Sequence, residues 1–149
     1  MGYTHYWGFR NNPKDIKNGA EKFKTAVSLF KKGLKHLPKR TTYDGEEIPL
    51  KLFGGMGNGK PIIRDTEICF NGDAKKHLDY ETCIIKLDNP TDYSYDFCKT
   101  ARMPYDVAVC LALLCFKKAF GEDFAYSSDG NIESGEGGWA KAKEIIKEL

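Results

Sequence analysis

Val107-Ala108-Val109-Cys110-Leu111-Ala112-Leu113-Leu114-Cys115-Phe116 is the longest uninterrupted apolar run in the chain. Pro104 precedes it as a helix-start residue and Gly121 follows it as a helix stop. A surface helix shows an apolar stripe, whereas this segment is apolar on every side and needs packing partners all round. It falls well short of the ~20 residues that cross a bilayer, so the partners must come from a folded protein rather than from lipid. The remaining sequence has to supply layers that enclose one buried helix.

Upstream, Asn12-Pro13 reads as a cap and first turn, with Asp15 at the positive end of the dipole. Ile16, Ala20, Phe23, Val27, Phe30, Leu34 and Leu37 then recur every three or four residues until Pro38, which predicts one amphipathic helix. Between these helices lie short alternating or apolar runs at Ile48 to Phe53, Ile62 to Arg64, Glu67 to Phe70, Thr82 to Leu87 and Phe97 to Ala101. Asp44-Gly45, Gly54 to Gly59 and Asn71-Gly72-Asp73 separate them as turns. Phe124 to Ser127 reads as a last strand, and Trp139 to Leu149 as a last helix. Strands clustered between helices predict a single α+β domain over residues 1–149. Its expected parts are a central antiparallel β-sheet, a buried helix, an N-terminal basic amphipathic helix and a C-terminal helix.

The 149 residues carry 23 Lys+Arg and 21 Asp+Glu, a net charge of +2 that conceals an asymmetry. Residues 10–40 hold ten basic and two acidic side chains, leaving 13 basic and 19 acidic elsewhere. Such a basic face steers anions or lies solvated on a helix. With a pI of 8.2 and acid dominating outside that helix, binding to duplex DNA is not expected. A mean hydropathy of −0.51 and the lack of a long apolar run predict no membrane association and a cytoplasmic location. Cys69, Cys83, Cys98, Cys110 and Cys115 sit in apolar stretches without C-x-x-C spacing. They read as free buried thiols, and no metal or other cofactor is called for.

Gly54-Gly55-Met56-Gly57-Asn58-Gly59-Lys60 meets the opening of a phosphate-binding loop. Pro61 replaces the expected hydroxyl residue and a strand, not a helix, follows; the loop therefore reads as a glycine-rich connection. Three blocks remain as candidate binding residues. Tyr3, His5 and Trp7 would share one face of an opening strand and Thr4 and Tyr6 the other, with Tyr3, His5, Tyr6 and Trp7 offered as stacking and edge contacts for a base. Lys99, Thr100 and Arg102 lead into Pro104, Tyr105 and Asp106, where a helix N-terminus would hold a phosphate. Ser127, Ser128 and Asp129, with Asp106, could bond ribose hydroxyls, although a plain turn is the commoner reading of the later block. His5 is the one histidine suited to carry a proton, and residue spacing supports no Ser-His-Asp arrangement.

Gly2-Tyr3-Thr4-His5-Tyr6-Trp7, Phe97 to Arg102 before Pro104-Tyr105-Asp106, and Ser127-Ser128-Asp129-Gly130 resemble a family of small, mostly phage-encoded proteins of unassigned activity. Met103 departs from that pattern, which carries a lysine there. The resemblance implies a phage origin and hence action inside an infected bacterial host. The expected function is counter-defence by sequestering a nucleotide second messenger, a cyclic oligonucleotide or an ADP-ribose derivative, without catalytic residues. Subunits of a homo-oligomer could share such a pocket. Two alternatives stand beside it: an enzyme that hydrolyses or modifies the signal, and a protein–protein inhibitor acting through the basic first helix.

Overall fold

The computed structural model describes residues 2–149. Its elements in chain order are β1 (Thr4–Phe9), α1 (Gly19–Leu34), β2 (Arg40–Tyr43), β3 (Glu46–Pro49), β4 (Ile62–Arg64), β5 (Glu67–Phe70), β6 (Cys83–Lys86), β7 (Asp96–Lys99), α2 (Asp106–Phe120), β8 (Phe124–Ser128) and α3 (Trp139–Lys147). This is an α+β fold in which every strand pairing is antiparallel. No helix is long and apolar enough to cross a membrane among the described residues.

The apolar run forms α2 and is enclosed as its sequence requires, with Ala108 to Leu113, Cys115, Phe116 and Phe120 buried. On one flank, Phe23 of α1 meets Phe116 at 4.9 Å between ring centroids. On the other, Phe9 of β1 meets Phe116 and Phe120 at 6.2 and 5.0 Å. Trp139, Ala142 and Ile145 bring α3 into the same core. Full burial of such side chains is worth roughly 1.5–3 kcal/mol each, so α2 anchors the surrounding layers.

The strands do not make one central sheet. They form a three-stranded sheet of order β7-β1-β8, a separate β2-β3 hairpin, and a second three-stranded sheet of order β4-β5-β6. The hairpin turns at Asp44-Gly45, where both residues take positive φ. Its first strand, Arg-Thr-Thr-Tyr, lacks the apolar alternation that would have marked it.

The first helix also begins later than its periodicity predicts. Pro13–Asp15 is a 3-10 turn, Ile16 is extended and Asn18 is left-handed, so α1 starts at Gly19. A Cβ at Gly19 would collide with the Pro13 carbonyl oxygen, and this tight return makes the break. The glycine-rich segment 54–59 leads into strand β4, as its sequence predicts.

Candidate functional site

β1 is the middle strand of its sheet, and its two faces separate the candidate residues. The register places His5 opposite Cys98 and Ser128, and Tyr6 opposite Phe97 and Ser127. His5, Trp7 and Phe9 turn inward toward α2, with Tyr3 buried on the same side. Tyr6 and Ser127 turn outward. The alternation of a strand therefore gives adjacent candidates opposite environments.

The inward residues form a closed hydrogen-bonded cluster. His5 Nε2 lies 2.5 Å from Asp106 Oδ1, and His5 Nδ1 lies 2.7 Å from Ser128 Oγ. Ser128 Oγ also accepts from the Gly130 N–H at 3.0 Å and from Trp139 Nε1–H at 3.2 Å. A hydroxyl has two lone pairs and one proton, so the Ser128 proton must point at His5 Nδ1. His5 then carries its own proton on Nε2 and donates it to Asp106. Asp106 Oδ1 takes a second bond from Thr100 Oγ1 at 2.6 Å, and Oδ2 accepts from the Gly138 N–H at 3.2 Å. Cys110 Sγ lies 3.8 Å from Asp106 Oδ2. Burial and the Asp106 charge push the Cys110 thiol well above its ordinary range. Burial pushes the neighbouring Tyr3 phenol up to about 12, with Asp106 adding to the rise.

This cluster has the composition of a nucleophilic triad, which spacing alone did not disclose. Its bonding is that of a structural brace. Both Ser128 lone pairs are engaged, leaving none to attack a substrate, and the His5 side chain is fully buried. His5, Asp106 and Cys110 also place three donor atoms within 4.8 Å of one another. A metal on His5 Nε2 would force Nδ1–H to become a third donor onto Ser128 Oγ. The set fits hydrogen bonding and does not fit a metal ion.

Several assignments made from sequence are corrected by burial. His5, Trp7, Thr100 and Tyr105 are enclosed and present no surface on which a base or phosphate could rest. Tyr105 instead bonds the Glu81 carbonyl at 2.5 Å, and Tyr3 lies beneath the Arg102 guanidinium, 4.0 Å from its ring centroid. Ser128 is engaged within the cluster. Asp129 ties down the Thr4 N–H at 3.0 Å and the Tyr6 hydroxyl at 3.2 Å. Lys99 lies over the Tyr80 ring at 5.5 Å. Of the candidate binding residues, Arg102 and Asp106 border a cleft at the start of α2.

That cleft encloses about 390 Å³. Its walls are Thr41, Thr42 and Tyr43 of β2, Arg102 to Pro104, the first turn of α2, and Gly137, Gly138 and Lys141 at the start of α3. The two helix ends approach so closely that a Cβ on Gly138 would stand 2.6 Å from Val107 Cα. Their dipoles each place about half a positive charge at the N-terminal end. Arg102 and Ala101 both adopt positive φ, 62° and 50°, an uncommon backbone for non-glycine residues that costs on the order of 1–3 kcal/mol each. Arg102 Nη2 pairs with Glu136 Oε2 at 2.9 Å, and this hydrogen bond holds the Glu136 carboxyl below its ordinary range.

Lys141, Thr41, Thr42, Tyr43 and Glu136 were not identified from the sequence. The glycines flanking Glu136 were the available signal, since they precede a helix N-terminus. Comparison with protein-family models, with curated proteins and with solved structures found no match to this chain.

Proposed function

We propose that this protein binds a phosphate-bearing, nucleotide-derived signalling molecule and retains it unaltered, acting as a phage counter-defence protein inside an infected bacterial cell. The observation that carries the reading is the cleft where the N-terminal ends of α2 and α3 converge beside Arg102 and Lys141. The positive dipole ends of two helices, two cations and the Thr41 and Thr42 hydroxyls suit a phosphate, while Tyr43, Pro104 and Val107 offer apolar wall for a base or sugar. The phosphate would rest on the open side of Arg102, since Thr100 is buried. The counter-defence role rests on the resemblance of the three sequence blocks.

Retention is favoured over turnover because the histidine, serine and carboxylate that could do acid–base chemistry are bonded to one another behind this cleft. Glu136 occupies Arg102 as a ligand phosphate would, so an incoming anion has to displace it.

Calorimetry against cyclic oligonucleotides and ADP-ribose derivatives tests the reading, with chromatography of the ligand after denaturing the complex. Binding to a member of the panel and recovery of the intact molecule are expected. Glu136→Gln should tighten binding. A new chromatographic peak would favour the enzymatic alternative, and a silent panel would count against the cleft.

A further inference from the structure

The outward face of the β7-β1-β8 sheet has a composition that the cleft does not explain. Tyr95 and Phe97 are 61% and 48% exposed, and the exposed Tyr80 ring lies beneath Lys99 of β7. Tyr6 stacks on Tyr95 at 6.3 Å between centroids, and Tyr95 meets Phe97 at 6.0 Å. Exposed aromatic clusters of this kind mark contact surfaces. The β7 edge itself is blocked to a further strand: the Phe97 N–H donates to Asp96 Oδ1 and the Lys99 N–H to Glu81 Oε1. What this surface offers a partner is ring faces.

It also offers negative charge. Asp129 bonds Tyr6, and Glu122 and Asp123 line the 710 Å³ groove beside Tyr6 and Tyr95. The cations on this side are already engaged, Arg10 and Lys22 both facing Asp123 and Lys99 lying over Tyr80. Further along α1 the balance is the reverse. Lys24, Lys31 and Lys35 stand exposed along one line of α1 and have no carboxylate within 4 Å among the described residues.

We infer that the acidic aromatic face of one copy receives the α1 lysines of a second copy, head to tail. Lysine ammonium groups are attracted to ring faces and to carboxylates, and both are presented together here. Since each copy keeps a free face of each kind, the contact is heterologous and builds a closed ring or an open chain of subunits.

Light scattering coupled to gel filtration, on the full chain, tests the inference. The mass should rise above 16.8 kDa with protein concentration and return to it at high salt. Two variants separate the possibilities: Tyr95→Ser with Phe97→Ser, and Lys24→Glu with Lys31→Glu and Lys35→Glu, each checked for folding by circular dichroism. Each should be monomeric alone, and an equimolar mixture should form a one-to-one dimer that grows no further. A wild-type chain that stays monomeric at every concentration in low salt would overturn the inference. So would a lysine variant that assembles as the wild type does, because the aromatic face would then be pairing with itself or with another surface.

Discussion

The two faces of the β7-β1-β8 sheet carry residues from the same short sequence blocks and do opposite things with them. On the inner face, His5 and Ser128 are locked into mutual hydrogen bonds with Asp106. On the outer face, Tyr6 and Ser127, their immediate neighbours, stand beside an open groove. A polar side chain taken out of water must find partners, whereas one left in water need not. The inner set is therefore committed to holding the fold, and surface chemistry is left to residues one position away.

Breaking the inner set should give the largest effect. His5→Ala leaves the buried Asp106 carboxylate without its imidazole donor and opens a ring-sized cavity, and should lower unfolding free energy by about 3–5 kcal/mol in urea titrations. If the loss is under ~1 kcal/mol, the cluster is not a brace. Ser128→Ala strands the Gly130 N–H, the Trp139 indole N–H and His5 Nδ1, and should cost roughly 1–3 kcal/mol by the same measurement. The exposed pair at the cleft sharpens the contrast. Arg102→Ala should change stability by less than ~1 kcal/mol yet weaken ligand binding about ten- to a hundredfold.

The same substitution has a signature in titration. The carboxyl of Glu136 is depressed chiefly by its hydrogen bond to Arg102, so the pair helps the fold above the ordinary value of 4.5 and ceases to help as pH falls through the lowered one. Carbon-13 spectra of the Arg102→Ala variant should show Glu136 titrating back toward 4.5. At the outer face, Tyr95→Ser should move stability by no more than about 0.5 kcal/mol, since no buried group loses a partner. Thiol labelling completes the comparison. Cys83, Cys110 and Cys115 are buried with thiols pushed upward, Cys115 to about 12, so little thiolate exists near neutrality. Native protein should label at half-buried Cys69 first, and all five cysteines should react in denaturant.

Much of the architecture was legible in the residues themselves. The all-round apolarity of Val107 to Phe116 demanded enclosure, and β4 and β5 fall where their alternation put them. The period of two also placed Tyr3, His5 and Trp7 on one side and Tyr6 on the other. It could not say which side was the interior, because rings and polar tips occur on both. The hairpin strand at Arg40–Tyr43 escaped notice for a related reason: a half-exposed pairing of polar residues leaves no hydrophobic pattern.

The sequence by itself determined the buried helix, the turns and the alternation of β1, because these depend on neighbours within a few residues. Only the tertiary structure decided that His5 meets Asp106 across 101 positions and Ser128 across 123. It also decided that Arg102, lying over the Tyr3 ring, borders a cleft shared with the start of α3. Such meetings depend on how whole layers stack on α2, and no local rule of spacing encodes them.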